Sequence, residues 1–328
     1  MKEASMSRYL ITGIAGFIGS TLAHKLVEQK HEVVGIDNLS TGNLENLADI
    51  RSSVRFLQGD IEDLAAVRKA CDGVDFVLHQ AALASVPRSV KDPLTSHGSN
   101  INGTLNVMLA ARDARVKRIV FAASSSAYGD QPTQPKCEEM SPQPLSPYAV
   151  QKLCCEYYLQ SFNKVYGMEA ICLRYFNIFG PRQAADSPYS GVIAHFIHKM
   201  MMNETPTING DGMTSRDFTY VDNAVQANLL ACHAPKEYAT GRVFNVGTGH
   251  SHTLNDLYTA LANILNFEQK PIYGPSRAGD VQHSLASITR AGNELKYRPD
   301  SDFYAGLSKT VEWYLQKQNL PVGIYAYS

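Results

Sequence analysis

The stretch RYLITGIAGFIG, residues 8–19, decides the fold. Arg8–Thr12 reads as a buried strand and Phe17–Gln29 as the helix after it. Between them stand Gly13, Gly16 and Gly19 at a spacing of three. Gly13 permits a tight turn, Gly16 lets the backbone approach a ligand, and Gly19 allows the helix to pack closely on the strand. A strand that passes through such a loop into a helix aims backbone amides and a helix N-terminus at an anion. The expected ligand is therefore the pyrophosphate of a dinucleotide.

Beyond this loop, strand and helix signals alternate, which implies right-handed crossovers and a parallel sheet. Glu32–Asp37, Val54–Gln58, Asp75–His79, Arg118–Ala123 and Ala170–Tyr175 read as further strands. A helix is expected from about Pro93 to Ala114, and another opens at Ser146 as N-cap with Pro147 at its first position, running to about Tyr166. After Phe176 the texture changes to loops with glycine, proline and short elements, including a helix near Val192–Met202. Phe218–His233 and Arg242–Gly247 look like pieces that rejoin the first lobe, and helices are expected near 253–265 and 302–318. The fold class is α/β, a Rossmann-type doubly wound parallel sheet with a smaller, interleaved C-terminal lobe. Residues 1–176, with 218–247 returning, form the cofactor domain; 177–217 and 248–328 form the substrate lobe. Residues 1–6 read as a tail, with Met6 as an alternative start.

Composition excludes several function classes. A formal net charge of −1 argues against nucleic acid or an anionic membrane as the main partner. No stretch approaches the ~18 apolar residues of a membrane span, and the N-terminus has no apolar run of a signal peptide. The six cysteines show no metal-binding spacing and read as reduced thiols of a cytoplasmic protein, so no metal is expected. Charged residues are 19%, low enough to suggest a large buried fraction or a subunit interface.

The chemistry is carried by Ser124 at the tip of the fifth strand and by Tyr148 and Lys152 in SPYAVQK. With 17 tyrosines in the chain, a Tyr-x-x-x-Lys pair is expected about once by chance, so the pair alone proves nothing. Its position downstream of the glycine loop and the serine strand gives it weight. Tyr148 sits in the first turn of its helix, where the dipole favours phenolate, and Lys152 is four residues on, on the same face. A free phenol has a pKa of ~10 and is a poor base at neutral pH. Lys152 and an oxidised nicotinamide are expected to lower it, so that Tyr148 removes a hydroxyl proton while Ser124 bonds the same oxygen. Asp37 ends the second strand, 18 residues after Gly19, where a carboxylate accepts from ribose hydroxyls. It also repels a 2′-phosphate, and residues 38–44, NLSTGNL, supply no arginine to hold one, which favours NAD over NADP. Asp60, closing the third strand, either holds adenine or caps the next helix.

These residues bring out a resemblance. TGIAGFIG, DNLSTGN, HQAA, SSSAYG, YAVQK, RYFNIFGPRQ and SRDFTYVDN, spread over positions 12–223, with RAGDVQHS at 277–284, resemble the extended short-chain dehydrogenases/reductases of the nucleotide-sugar epimerase type. The resemblance implies tightly held NAD and a UDP-sugar in the C-terminal lobe. It adds Phe17, Ile18, Asn38 and Ile61 to the cofactor contacts, together with Gln80, Ala81, Ala82 and Asn100. It assigns the diphosphate or sugar to Asn177 and the diphosphate clamp to Arg216 and Arg277. Ser85, Arg88 and Val192 are further substrate candidates, as is Asp280.

The two residues after Ser124 narrow the reaction. Related dehydratases and decarboxylases carry an acidic residue at that point, whereas this chain has Ser125 and Ser126. That favours oxidation at C4, rotation of the keto sugar and return of hydride to the other face. Hexose-specific 4-epimerases carry a lysine at the position of Ala84 and a tyrosine at that of Ser284. Their small counterparts in this chain leave room for an N-acetyl group, so the expected substrates are UDP-GlcNAc/UDP-GalNAc, with UDP-Glc/UDP-Gal in addition. The alternatives are a UDP-glucuronate 4-epimerase, a hexose-only 4-epimerase and, from another class, a non-catalytic NAD-binding regulator. In the helix from Pro147, the apolar residues Val150, Leu153, Cys154, Tyr157, Tyr158, Phe162 and Val165 nearly encircle the axis, which suggests a homodimer.

Overall fold

The computed structural model of the protein describes residues 6–184, 191–276 and 281–317. All of the expected tail but Met6 lies outside the described residues, as do Arg277 and Asp280. The first lobe runs β1 (Arg8–Thr12), α1 (Phe17–Glu28), β2 (Glu32–Asp37), β3 (Val54–Gln58), α2 (Leu64–Cys71) and β4 (Phe76–His79). It continues through α3 (Val86–Lys91), α4 (Pro93–His97), α5 (Gly103–Asp113), β5 (Arg118–Ser124), α6 (Pro147–Tyr166) and β6 (Ala170–Tyr175).

Seven parallel strands form one sheet, in the order edge strand Thr240–Val246, then β6, β5, β4, β1, β2, β3. Strand side chains alternate between its two faces. Tyr9 and Ile11 pack into a core with Leu22 and Leu26 of α1 and Val225 of the helix Val221–His233. Leu10 and Val34 pack into a second core with Val107 of α5 and Leu159 of α6. Both faces are covered, which is why these strands are continuous apolar runs. The order reverses between β1 and β4, so a crevice opens beyond their C-terminal ends, where Gly13 and Gln80 lie. A third core, around Phe196, Leu257, Phe303 and Leu307, holds the second lobe together.

Several elements carry no clear signal in the sequence. α2 is short and starts with the Asp63 carboxylate accepting from Ala65 N and Ala66 N. Leu44–Ser53 forms 3₁₀ turns, and the second lobe contains two- and three-residue strands. The helix expected from about Pro93 to Ala114 is continuous but opens into one wide π-turn at Gly98–Asn102 before α5. α6 begins as expected, with Ser146 accepting from Ala149 N and Pro147 in first place.

Candidate active site

Gly13 has a φ of +71°, and a Cβ on it would lie 2.8 Å from the backbone of Ala81. A Cβ on Gly19 would lie 2.1 Å from the Gly13 carbonyl oxygen, so α1 can approach the turn after β1 only because residue 19 is glycine. Gly16 is the N-cap of α1 and offers no side chain to its free amides, and no acidic residue stands in the first turn. That leaves an anion-receptive helix end facing the crevice. This glycine cradle is what a dinucleotide pyrophosphate requires, and the residues fit NAD.

Asp37 is buried at the end of β2. Its two carboxylate oxygens accept from Ala15 N at 2.9 Å and Leu39 N at 2.8 Å. Burial raises its pKa, with both backbone bonds acting in the opposite direction. Asp37, Asn38, Asp60 and Ile61 line one cleft with Gln80, Ala81 and Ala82. Asn38 donates to Asp60 at 2.7 Å, while the other Asp60 oxygen accepts from Glu62 N. Gln80 donates to Asn228 at 3.1 Å and accepts from the Tyr175 hydroxyl, itself held by Asn228. Phe17 and Ile18 lie on an adjoining cleft of about 630 Å³, together with Ala84, Ser85 and Arg88.

Asn100 sits in the π-turn, 2% exposed. Its amide is fully engaged: the oxygen accepts from Leu83 N, and the nitrogen donates to Leu83 O, Ser96 and Gln151. Gln151 neighbours Lys152 on α6, so Asn100 ties the chain after β4 to the helix that bears Tyr148.

Ser124 and Tyr148 meet: the phenol is hydrogen-bonded to Ser124. The Ser124 hydroxyl oxygen also accepts from Ser126 N at 3.2 Å and from the Ser126 hydroxyl at 2.8 Å. Lys152 is 3% exposed; its ammonium donates to Ala122 O at 2.7 Å and lies 4.7 Å from the Phe121 ring centroid. Burial lowers the Lys152 pKa to about 8, opposed by Cys155 and Glu156. The lowering of the Tyr148 pKa expected from Lys152 together with an oxidised nicotinamide is not produced by the chain alone. Burial raises it to about 12, and the Ser124 bond is the one influence acting downward. The chain by itself places the Lys152 charge on a strand carbonyl rather than on the phenol.

The substrate candidates divide. Arg216 and Ser284 are paired in register across two short parallel strands. Arg216 donates to Ser215 O at 2.9 Å and Gln282 O at 3.3 Å. Asn177 has a φ of +38° and donates to Asp217 O at 3.4 Å; asparagine is among the few residues that tolerate the left-handed region. Val192 opens the helix Val192–Met201 and packs partly against the core of the second lobe. Ser125 and Ser126 form the short turn after β5.

Three supports were not singled out from sequence. Asp217 is fully buried and accepts from Thr248 N, the Thr248 hydroxyl, Gly249 N and Ala286 N, at 2.8–3.2 Å. It knots the turn after the edge strand to the chain carrying Ser284. Ser89 accepts from Tyr148 N at 3.1 Å, which couples α3 to the start of α6. A buried relay runs from Ala81 N–H to Thr12, on to His79 Nδ1, from His79 Nε2 to Thr104, and to Asn100 O. An amide can only donate and a carbonyl only accept, so this order fixes His79 as the neutral Nε2–H tautomer. Its pKa is pushed down to about 3 by burial, with Lys152 adding to the effect. Motif spacing carries no signal for Thr12 with His79 or Ser89 with Tyr148, which lie 67 and 59 residues apart.

A model of the NAD dependent epimerase/dehydratase family matches residues 9–247. The chain belongs to this family. It is 36% identical over 318 residues to the UDP-glucose 4-epimerase of Mycolicibacterium smegmatis, covering 94% of this chain and 99% of that one. It is 32% identical over 327 residues to the UDP-glucuronate 4-epimerase of Thermodesulfobacterium geofontis, covering 96% and 98%. The structure of a UDP-N-acetylglucosamine 4-epimerase from Methanobrevibacter ruminantium M1, in complex with UDP-N-acetylmuramic acid, superposes with a TM-score of 0.91 at 39% identity, covering 96% and 100%. The fold is therefore that of the solved epimerases. Among the described residues no helix is long and apolar enough to cross a membrane, and no cluster of metal-ligating side chains occurs.

Proposed function

We propose that this NAD-dependent UDP-sugar 4-epimerase acts on UDP-GlcNAc/UDP-GalNAc and also on UDP-Glc/UDP-Gal. The reading rests above all on the pairing of Arg216 with Ser284, which sets a cation and a small side chain side by side in the second lobe. In this reading Gly13, Gly16, Gly19 and Asp37 hold the cofactor with Phe17, Ile18 and the residues of the adjoining cleft. Bound NAD supplies a hydride acceptor, and then a donor, for C4 of the sugar.

The chain's own groups do the rest. Tyr148 takes the proton from the C4 hydroxyl and later returns it, and Ser124 holds the same oxygen by its hydroxyl. A phenol held near 12 is a reluctant base, so the chain keeps Tyr148 protonated until positive charge arrives beside it. Lys152 supplies a buried ammonium anchored on Ala122 O. Arg216, with Arg277 and Asn177, neutralises and orients the diphosphate, which leaves the sugar able to present either face. Ser125 and Ser126 offer no carboxyl group for an elimination. A panel of UDP-sugars, read by product separation with Tyr148→Phe as control, tests this reading; turnover of UDP-Glc with none of UDP-GlcNAc would overturn the substrate preference.

A sugar bearing a carboxylate is the second reading. Arg88, Arg182 and Lys317 line the same cleft and suit such an anion, and UDP-glucuronate belongs in the panel for that reason. We also infer a homodimer. Leu153 and Phe162 turn into the chain's own core, whereas Val150, Tyr157, Tyr158 and Val165 on α6 remain exposed. Val90 and Leu94 of α3 and α4, 64% and 84% exposed, extend this apolar surface. A cytoplasmic setting agrees with six cysteines of which none is bonded to another.

A further inference from the structure

The strand that carries Ser284 has two edges, and both are held. On one, Ser215–Arg216 pair with His283–Ser284, and the Ser284 carbonyl accepts from Asp217 N at 2.7 Å. On the other, no strand stands opposite Ser284 among the described residues. The side chain of Gln134 takes that place: its Nε2 donates to His283 O at 2.6 Å and its Oε1 accepts from Leu285 N at 3.1 Å. One amide thus reproduces the two bonds of a neighbouring strand and brackets Ser284 on both sides. Two residues further on, the main chain takes over, with Lys136 N donating to Leu285 O at 2.7 Å and Ser287 N donating to Lys136 O at 2.8 Å. The root of this loop is fastened too, because Asp130 accepts from Gln282 N at 3.4 Å.

We propose that Gln134 is a positioning residue for the nucleotide sugar, holding the backbone of Ser284 at a fixed distance from Arg216. The proposal rests on the reading of Arg216 and Ser284 as substrate residues. A primary amide suits the task because it alone combines a donor and an acceptor at the spacing of a peptide. A methionine keeps the length and removes both bonds. A glutamate keeps the acceptor for Leu285 N but sets a carboxylate oxygen against the His283 carbonyl, where two acceptors repel. An asparagine keeps the amide and withdraws it by one methylene. Gln134 reaches the site only through main chain, so its loss should be felt in binding and not in the proton transfer at Tyr148.

The test is steady-state kinetics of the full-length protein with UDP-GlcNAc and UDP-Glc, with NAD per protomer measured after denaturation. Each lost neutral hydrogen bond corresponds to about a fivefold change in an equilibrium constant, so Gln134→Met should raise KM for both sugars by roughly tenfold or more. kcat should stay within about twofold and bound NAD should be unchanged, as expected for lost ground-state positioning. An unchanged KM overturns the proposal, as does a joint loss of kcat and NAD, which would mark a merely structural role. If Gln134→Met does not fold, Gln134→Asn is judged by the same criteria. Ser284→Tyr measured alongside separates the two claims. An unaltered sugar preference in Ser284→Tyr with raised KM in Gln134→Met overturns the specificity role of Ser284 alone. An altered preference with unchanged KM overturns the Gln134 proposal alone.

Discussion

Arg216 and Ser284 face each other Cα to Cα across two parallel strands, so the proposed diphosphate clamp and the proposed sugar-side residue are set by one ladder. Enlarging Ser284 is predicted to act on the sugar while the ladder keeps the Arg216 backbone in place. Ser284→Tyr is expected to lower kcat/KM for UDP-GlcNAc by roughly 10- to 100-fold, the ~1–3 kcal/mol cost of overfilling a packed site. UDP-Glc, which lacks the N-acetyl group, should lose much less. Equal losses on the two sugars would refute the specificity role.

Tyr148→Phe removes the hydroxyl bonded to Ser124 and leaves the ring and the helix start in place. General acid–base catalysis contributes typically about 10²–10⁴-fold, and kcat should fall by that amount. The protein should still carry its cofactor, since Gly13, Gly16, Gly19 and Asp37 are untouched. Residual activity within about tenfold of wild type would remove Tyr148 from the chemistry.

Asp37 holds the amides of Ala15 and Leu39 at the rim of the glycine loop. Asp37→Ala leaves two donors unpaired, at a cost of about 1–3 kcal/mol each where they stay dry. The expected outcome is a protein that loses NAD on gel filtration and melts several degrees lower. Full retention of NAD would show that the carboxylate serves only the loop's own backbone.

His79 makes stability depend on pH in a definite direction. Its folded pKa is pushed down to about 3, and an unfolded histidine titrates near ~6.5. Between those values the unfolded chain holds a proton that the folded one refuses. Stability therefore rises with pH across this window, by roughly 1.4 kcal/mol per unit, and this contribution is lost as pH falls from about 6.5 toward 3. His79→Gln should be less stable at pH 7, because the Thr12 hydroxyl loses its acceptor, yet show a flatter acid limb by about one proton. Urea midpoints at about pH 4.5, 5.5 and 7 measure both; parallel limbs would exclude a buried neutral histidine.

An apolar face shared by α3, α4 and α6 predicts self-association. Leu94→Glu or Val150→Glu should convert a dimer to a monomer in sedimentation at micromolar concentration, each charge having to be desolvated in the joint. A wild-type monomer at that concentration would refute the inferred homodimer.

The doubly wound sheet was legible because each of its cues is local. The apolar run of Glu32–Asp37, the Ser146–Pro147 helix start and the loop from Gly13 to Gly19 all lie within a few residues of the structure they specify. The placement of Tyr148 and Lys152 four residues apart on one helix was legible for the same reason. The features that stayed hidden depend on partners that meet only when the chain is folded. Gln134 is 149 residues from His283, and nothing in its neighbourhood announces a strand to be completed. Thr12 and His79 are 67 residues apart, and Ser89 lies 59 from Tyr148. The lowered phenol pKa was read from Lys152 and an oxidised nicotinamide together; in the chain alone it is burial, a property of the fold, that dominates Tyr148.

The π-turn at Gly98–Asn102 has a consequence for how this chain tolerates length changes. An extra residue in one turn rotates everything beyond it by about 100° relative to a regular helix begun at Pro93. The apolar side of α5, with Val107 and Met108 against the sheet, is thus phased to the wide turn and not to Pro93. Removing a single residue from 98–102 other than Asn100 would close the turn into a regular α-helix and leave α5 in the same phase, with Val107 and Met108 still against the sheet. A random-indel library selected for activity should therefore accept single deletions in this turn that spare Asn100, whose amide holds Leu83 and Gln151.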